Sequence, residues 1–195
     1  MTHRLNRMPT NKKIFGLTGL LASGKGTAAK YFEEKHNAGI YRFSTALRDV
    51  CKRVHLEQTR DNLVKMSECL RATFGEDLLS KAMARDTEND MCKIVVVDGV
   101  RRMEDVAHLK LLPNFILVAI SADPATRYER LIKRGENSDD IAKTYEQFLA
   151  DHKRSTEVSI LDVVPQATEQ INNNGSLEEL HQQIDALINK YETKN

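Results

Sequence analysis

Short apolar runs rich in β-branched residues alternate along the chain with longer amphipathic segments. Such nearly unbroken runs are typical of strands that a parallel sheet buries on both faces. Five runs are predicted as strands, and the apolar pattern is weakest in the last: KIFGLT (13–18), GIYRFS (39–44), KIVVVD (93–98), FILVAIS (115–121) and ATEQIN (167–172). The alternation predicts an α/β fold with a five-stranded parallel sheet and helices on both faces.

Apolar residues three and four positions apart predict helices between these runs. The predicted helices cover 26–35, 46–55, 60–72, 75–86, 102–111, 124–134, 141–153 and 177–192. Two of the helix starts are marked by their chemistry. Asp123 before Pro124 supplies a cap and a pre-set first turn, and SLEE from Ser176 to Glu179 is a capping box.

The length of 195 residues suits one domain with a substantial core. We expect residues 1–12 to form a flexible N-terminal tail and residues 13–195 to form a single domain. The 29 basic and 28 acidic residues leave a net charge of +1, which offers no overall field for nucleic acid or an anionic membrane. Any anion site must therefore be local. We expect small-molecule partners rather than nucleic acid or a membrane, and a monomer or a small homo-oligomer.

The cysteines and the apolar runs bear on the compartment. Cys51, Cys69 and Cys92 are odd in number and far apart, which favours a reducing, cytoplasmic setting over a disulfide framework or a zinc site. The longest apolar runs, IVVV and FILVAI, are far shorter than the roughly 18–20 residues that cross a bilayer. We expect no membrane segment.

The segment GLLASGKGT (19–27) lies between the first predicted strand and the first predicted helix. Its spacing, G-x-x-x-x-G-K, is that of a Walker A phosphate-binding loop (P-loop), in which backbone N–H groups surround a phosphate at a helix N-terminus. Lys25 is expected to reach the terminal phosphates of ATP. The residues predicted to bind ATP here are Gly19, Leu20, Leu21, Ala22, Ser23, Gly24, Lys25, Gly26 and Thr27.

Asp98 ends an apolar strand and is therefore expected at the carboxyl edge of the sheet, where open α/β sheets bind ligands. We expect it to orient the water ligands of Mg²⁺ or the acceptor, although a helix-capping role is the alternative. Because Gly26 follows Lys25, the hydroxyl ligand of the metal shifts to Thr27 or is replaced by water. Mg²⁺ tolerates this arrangement since it usually retains several waters.

Arg127, Arg130 and Arg134 are three and four positions apart, so they share one stripe of a predicted helix. Clustered arginines are what phosphoryl transfer requires, so this stripe is a candidate for binding phosphate. A solvated surface stripe is the alternative. Asp139, Asp140 and Arg154 are further candidates for a lid, with solvated surface positions as the alternative.

The ending GKGT resembles the loop of the nucleoside monophosphate kinases, of which adenylate kinase is the best known. VVVDGVRR (95–102) is similar to the family's strand that ends in Asp-Gly-x-(x)-Arg, and FSTALRDV (43–50) resembles its acceptor segment. RYERLIKRG and SDD (127–140) look like the lid, and INNNGSLEEL (171–180) looks like the turn near the donor base. The likeness is closest to adenylate-kinase-related proteins of the dephospho-CoA kinase-like or deoxynucleotide kinase-like branch.

This resemblance implies a three-layer P-loop NTPase fold with a helical lid over about 127–154 and acceptor-binding helices over about 45–90. It implies ATP and Mg²⁺ as cofactors, Asp98 facing the metal and Asn173 near the donor nucleotide. Because it puts the lid after the fourth strand, it also implies that Arg127 and Arg130 are catalytic. The acceptor-binding residues that it implies are Ser44, Thr45, Arg48, Arg101 and Arg102.

The chain departs from the family at two places. Asp98-Gly99-Val100-Arg101-Arg102 replaces the usual Asp-Gly-Phe-Pro-Arg, so either arginine is a candidate for the acceptor phosphate. The pattern Thr-Gly-Asp-x-x-Arg is missing, which leaves the identity of the acceptor open.

Three functions are compatible with these features. The first is an ATP-dependent kinase that phosphorylates a nucleoside monophosphate, either AMP or a deoxynucleotide. The second is transfer to a ribose hydroxyl, as in dephospho-CoA kinase. The third, from another class, is a regulatory or assembly ATPase. A GTPase is not supported, because NKKI (11–14) and NKYE (189–192) both lack the aspartate of N-K-x-D.

Overall fold

The computed structural model describes residues 11–134, 141, 143–151 and 155–193. Within them, five strands form one sheet: β1 (Lys13–Thr18), β2 (Gly39–Arg42), β3 (Ile94–Val100), β4 (Phe115–Ser121) and β5 (Glu169–Asn172). Every neighbouring pair is parallel and the order is β2-β3-β1-β4-β5, so β1 is the central strand. The predicted five-stranded parallel sheet is confirmed.

The helices connect the strands on both faces of the sheet. They are α1 (Lys25–His36), α2 (Phe43–Arg53), α3 (Arg60–Phe74), α4 (Leu78–Asn89), α5 (Met103–Val106), α6 (Pro124–Arg134), α7 (Tyr145–Asp151), α8 (Ser155–Val163) and α9 (Leu177–Glu192). Two 3₁₀ turns, Leu109–Leu111 and Val164–Gln166, complete the elements of the described residues. The predictions for 124–134 and 177–192 match α6 and α9 in full.

The core consists of two apolar layers, one on each face of the sheet. Alternate residues of β1 separate them, because Ile14 faces one layer and Phe15 the other. The first layer includes Leu47 and Met83 from α2 and α4. The second includes Phe32 from α1, whose ring lies 5.2 Å from that of Phe15. This arrangement confirms helices on both faces and fixes α1 against the central strand.

The predicted strand 39–44 is two residues too long. Phe43, Leu47 and Cys51 are all buried and four positions apart, which is the spacing of one helical face. Phe43 and Ser44 therefore belong to α2, and β2 ends at Arg42.

The predicted helix 102–111 is divided into α5 and a 3₁₀ turn. The Ser80 hydroxyl interrupts the helical ladder, since it donates to the carbonyl of Asp105 (2.7 Å) and accepts from the backbone N–H of His108 (3.0 Å). The predicted helix 141–153 begins later in the structure, at Tyr145, because Thr144 and Gln147 form reciprocal capping hydrogen bonds. Helix α8 was not predicted.

Lys12 does not belong to the expected tail. Its side chain is 2% exposed and its Nζ donates to the carbonyls of Thr87 (2.7 Å), Glu88 (3.2 Å) and Asp90 at the end of α4. Burial lowers the pKa of this ammonium. The tail therefore ends before Lys12, and residues 1–10 lie outside the described part of the chain.

The capping box at the start of α9 is present as predicted. The Ser176 N–H donates to the Glu179 carboxylate (2.8 Å), and the Glu179 N–H donates to the Ser176 hydroxyl (3.1 Å). No helix among the described residues is long and apolar enough to cross a membrane.

A buried ion pair joins α3 to the segment after β3. Arg71 is 6% exposed and Asp105 is 3% exposed, and Arg71 Nη2 lies 2.7 Å from Asp105 Oδ1. The other carboxylate oxygen accepts from the backbone N–H groups of Arg101 (3.0 Å) and Arg102 (3.1 Å). Asp105 therefore orders the segment that contains both candidate acceptor arginines.

Replacing Asp105 should destabilise the protein strongly, because Arg71 would remain buried without its carboxylate. We expect Asp105→Ala to lower the free energy of unfolding by about 3–5 kcal/mol, measured by urea denaturation. Arg85→Ala removes an arginine whose side chain is 75% exposed in its pair with Glu88, and its effect should stay within about 0.5 kcal/mol. Equal effects of the two substitutions would contradict this account.

Candidate functional site

The loop between β1 and α1 takes a course that requires glycine at two places. Gly19 has a φ of +148° and Gly24 a φ of +103°. A Cβ atom on Gly19 would overlap the carbonyl oxygen of Ile120, and one on Gly24 would overlap the side-chain amide of Asn173. The two glycines of the predicted P-loop are thus required by conformation and by space.

Ala22 also lies in the left-handed region, with a φ of +59°. An alanine in this conformation costs about 1 kcal/mol or more relative to glycine, so the surrounding contacts must hold the loop in place. Left-handed residues alternating with others turn successive backbone N–H groups toward one side, which forms an anion-binding concavity.

Lys25 begins α1 and bends back over this loop. Its Nζ donates to the carbonyls of Gly19 (2.6 Å) and Leu20 (3.0 Å). The first turn of α1 contains no acidic residue, so nothing in it opposes the positive end of the helix dipole. The loop, the lysine and the helix N-terminus together form an electropositive site of the kind that binds phosphate.

Two hydroxyl groups beside this site are buried. Thr18 Oγ1 and Ser23 Oγ have no hydrogen-bond partner among the residues that the structure describes. Thr18 ends β1 and Ser23 lies in the loop itself, so both residues border the candidate phosphate-binding loop. Buried polar groups are rarely left unpaired, and a bound anion or ordered water would satisfy them.

Asp98 lies at the carboxyl edge of the sheet, as predicted, in register with Leu17 of β1 and Arg42 of β2. Its side chain is 12% exposed, and its Oδ2 accepts from Arg42 Nε at 3.1 Å. Arg42 was missed in the sequence analysis. The argument that selected Asp98, a polar residue at the end of a strand, also applies to Arg42, but the predicted strand ran past it.

The oxygen donors at this edge suit Mg²⁺. The Asp98 carboxylate and the Thr18 hydroxyl are hard ligands, and Mg²⁺ needs only one or two protein ligands when phosphates and water complete its shell. Thr27 is exposed on the first turn of α1, two residues after Lys25. The chemistry of these donors therefore fits the metal that the sequence analysis implied.

The predicted acceptor residues lie on two segments at the same edge of the sheet. Ser44, Thr45 and Arg48 are exposed at the start of α2, and Arg48 Nη1 donates to the carbonyl of Gln58 at 3.3 Å. After β3, Arg101 is exposed, whereas Arg102 Nη1 lies 3.6 Å from the Glu76 carboxylate.

Arg127 and Arg130 lie beside the loop, but both are engaged with backbone carbonyls. Arg127 is 2% exposed, and it donates from Nε to Ala122 (3.0 Å) and from Nη1 to Leu21 of the loop (3.3 Å). Its guanidinium also lies 5.3 Å from the centre of the Phe148 ring. Arg130 Nη1 donates to the carbonyl of Asn173 at 2.7 Å. The described structure thus places these arginines in contacts that support the backbone around the loop.

Asn173 follows β5, and its side chain contacts the loop although the two are 150 residues apart in the sequence. It is 5% exposed, and its Nδ2 donates to the carbonyl of Ser23 at 2.9 Å. The structure therefore brings Asn173 and Arg127 into contact with the loop, whereas Arg130 contacts Asn173. The side chain of Arg134 and the residues Asp139, Asp140 and Arg154 lie outside the described part of the chain.

Comparisons with known proteins agree with this fold. Residues 16–158 match the AAA domain family. A UPF0200 protein of Pyrococcus abyssi (strain GE5 / Orsay) is 32% identical over 182 residues, which cover 91% of this chain and 96% of the relative.

Two solved structures are similar in fold at low sequence identity. The Thermus thermophilus protein TT1252 superposes with a TM-score of 0.60 at 15% identity, covering 93% of this chain and 98% of its own. Shikimate kinase from Bacteroides thetaiotaomicron superposes with a TM-score of 0.55 at 18% identity, covering 92% of this chain and 98% of its own.

Gly24 and Gly26 differ in the atoms that an added side chain would contact, so their alanine substitutions form a matched pair. Gly24→Ala should lower the free energy of unfolding by about 2 kcal/mol or more, because φ is positive and the Cβ would overlap Asn173. Gly26→Ala adds a Cβ with no atom within 4 Å, inside α1, and should leave stability unchanged or slightly raised. Thermal and urea unfolding of nucleotide-free protein measures both, and equal losses would be inconsistent with this geometry.

Proposed function

We propose that this chain, which belongs to the AAA domain family and to the UPF0200 proteins, is an ATP-dependent phosphotransferase that phosphorylates a nucleoside monophosphate. The observation that carries the proposal is the location of a P-loop, with Lys25 bent over it, beside Asp98 at one edge of a parallel sheet. The fold that this chain shares with a shikimate kinase is compatible with a kinase but does not select the acceptor.

Lys25 is assigned to the terminal phosphates of ATP. Its ammonium is held by the carbonyls of Gly19 and Leu20, and it can exchange these neutral acceptors for phosphate oxygens without leaving the loop. A charged acceptor gives the stronger hydrogen bond. Charge compensation of this kind, together with alignment of the reactants, accounts for most of the catalysis of phosphoryl transfer.

Asp98 and Thr27 are assigned to Mg²⁺, which they would hold through water. When bound, the metal supplies positive charge to the phosphate oxygens. The Asp98 side chain is 12% exposed, and its Oδ2 accepts from Arg42, whose side chain is 47% exposed, so the pair meets solvent on the arginine side.

Ser44, Thr45, Arg48 and Arg101 are assigned to the acceptor. Arg101 is preferred over Arg102 for the acceptor phosphate, because Arg102 lies near Glu76, whereas no ion pair of the Arg101 side chain is found among the described residues. The backbone N–H groups of Arg101 and Arg102 both donate to the Asp105 carboxylate, which fixes the backbone from which the two side chains extend.

A monophosphate acceptor is favoured over a hydroxyl acceptor by the state of Asp98. Transfer to a hydroxyl group, as in a dephospho-CoA kinase, benefits from a carboxylate that is available to accept a proton. Here that carboxylate is already bound by Arg42. A monophosphate needs cations more than it needs a base, and the exposed arginines Arg48 and Arg101 provide them.

The proposal is tested by the dependence of ATP consumption on the acceptor. Nucleoside and deoxynucleoside monophosphates, dephospho-CoA and shikimate are added singly to protein with ATP and Mg²⁺. We expect one monophosphate to raise ATP consumption by roughly tenfold or more and to yield its diphosphate, because transfer requires both reactants to be aligned. ADP release that no compound of the panel accelerates would instead indicate a regulatory ATPase.

Lys25→Ala provides the control for the reaction. It should lower kcat by roughly 10²–10³-fold with an unchanged melting temperature, since the lysine compensates charge in the transition state. Lys30→Ala, on the exposed face of the same helix, should retain activity. Activity retained by Lys25→Ala would refute the assigned role.

Substitutions of Arg101 and Arg102, the two arginines after β3, should differ in their effect on the KM for the acceptor. Arg101→Ala is expected to raise the KM for the acceptor by roughly tenfold or more with little change in the KM for ATP, because a charged hydrogen bond to the acceptor phosphate is lost. Arg102→Ala should change either KM by less than this. Steady-state kinetics with each substrate varied in turn measures both, and a loss confined to ATP would contradict the assignment.

A further inference from the structure

Two outward-facing carbonyls of the P-loop are held by side chains from other elements. Arg127 of α6 donates to the carbonyl of Leu21 at 3.3 Å, and Asn173 donates to the carbonyl of Ser23 at 2.9 Å. The donors approach from two segments that are far apart in the sequence. The loop is therefore not shaped by its own residues alone.

Holding a carbonyl also directs the next N–H group. In a trans peptide the C=O and the following N–H point in opposite directions, and the described residues contain no cis peptide bond. With the Ser23 carbonyl directed to Asn173, the Gly24 N–H points to the other side of the loop. The contact between Arg127 and the Leu21 carbonyl acts in the same way on the N–H of Ala22.

These are the peptides that most need such support. Ala22 and Gly24 are the residues after the two held carbonyls, and both have a positive φ, of +59° and +103°. A left-handed conformation at Ala22 is unfavourable in an isolated chain. The external hydrogen bonds stabilise the conformation that gathers the N–H groups on the phosphate side.

Asn173 is itself fixed on three sides. Its backbone N–H donates to the carbonyl of Ser121 at 2.8 Å, which extends the pairing of β4 with β5. Its carbonyl accepts from Arg130 Nη1 at 2.7 Å, and its side-chain amide fills the space that a Cβ on Gly24 would need. With 5% exposure, the side chain has little freedom to adopt another position.

From this geometry we propose that Asn173 is a positioning residue that orients the Gly24 N–H toward the phosphates, with Arg127 and Arg130 supporting the same backbone. The proposal rests on the proposed function in so far as the loop binds nucleotide phosphates. It differs from the sequence prediction, in which Asn173 lies near the donor nucleotide and the two arginines act on phosphate. Asn173 then recognises no base, and its contribution is the same for any ligand with a triphosphate group.

Binding of ATP and of inorganic tripolyphosphate to the intact protein, measured by calorimetry, tests this assignment. Asn173→Asp replaces the donating amide by a carboxylate that repels the Ser23 carbonyl, and it should weaken both ligands by about tenfold or more to the same extent. Asn173→Ala, which removes the donor without adding charge, should weaken both in the same direction by a smaller factor. The matched control Asn172→Asp makes the same chemical change at an exposed neighbour and should leave both affinities unchanged.

Three binding results would overturn the proposal. One is a loss confined to ATP, which would mean that Asn173 contacts the base or the ribose. Another is an equal loss in the Asn172→Asp control, and the third is wild-type protein that binds neither ligand. These measurements do not depend on phosphoryl transfer. A wild-type protein that binds both ligands but phosphorylates no acceptor would refute the proposed function. The role of Asn173 would still be decided by the binding affinities of its variants.

A double-mutant cycle in nucleotide-free protein supplies a second readout. Since the amide of Asn173 is what a Cβ on Gly24 would overlap, Asn173→Ala should relieve part of the effect of Gly24→Ala. The combined loss of stability should therefore be smaller than the sum of the two single losses. Strictly additive losses would show that Asn173 does not define the conformation at Gly24, and would overturn the proposal.

Discussion

The candidate site depends on the backbone course of the loop between β1 and α1. At Gly19 this loop passes against the carbonyl of Ile120 in β4, and at Gly24 it passes against the amide of Asn173 after β5. It can do so only because β4 and β5 lie in that order on one side of the central strand. The same turn starts α1 at the carboxyl edge of the sheet, and farther along the helix Phe32 packs on Phe15 of the central strand. Sheet order, helix placement and loop conformation are thus mutually dependent.

Asp98 in β3 and Asp105 in α5 differ in burial, and this difference distinguishes a candidate ligand-binding carboxylate from a structural one. Asp98 pairs with Arg42 where the two side chains are 12% and 47% exposed, so this pair meets solvent through the arginine. Asp105 pairs with Arg71 where the side chains are 4% and 6% exposed, and its second oxygen is occupied by two backbone N–H groups. Such a pair is costly to break, which makes it suited to hold the Arg101–Arg102 segment rather than to react.

Most of the fold follows from local patterns in the chain. The apolar runs predicted β1, β3 and β4 because a parallel strand buried on both faces needs a nearly unbroken apolar sequence. Weaker runs predicted the edge strands β2 and β5, which are less buried. The capping box at Ser176 and the proline at Pro124 marked the starts of α9 and α6, since these signals act within one helical turn.

Two of the wrong boundaries, at Phe43 and at Tyr145, were set by residues within the segment itself. Another error occurred where a distant residue decided the outcome. The hydroxyl of Ser80, contributed by α4, divides the predicted helix 102–111, and no pattern within that segment indicates it.

The sequence by itself determined the parallel sheet, the P-loop with its two glycines, and Asp98 at the strand edge, because periodicity and motif spacing are local properties. Only the tertiary structure decided what surrounds that loop. Arg127 and Arg130 were predicted to be catalytic and Asn173 to bind ATP. In the described structure all three donate to backbone carbonyls, including those of Leu21 and Ser23. The physical reason is that an arginine or an asparagine can serve an anion or a carbonyl equally well as a donor. Which of the two it meets depends on burial and on chain segments that the local sequence does not specify.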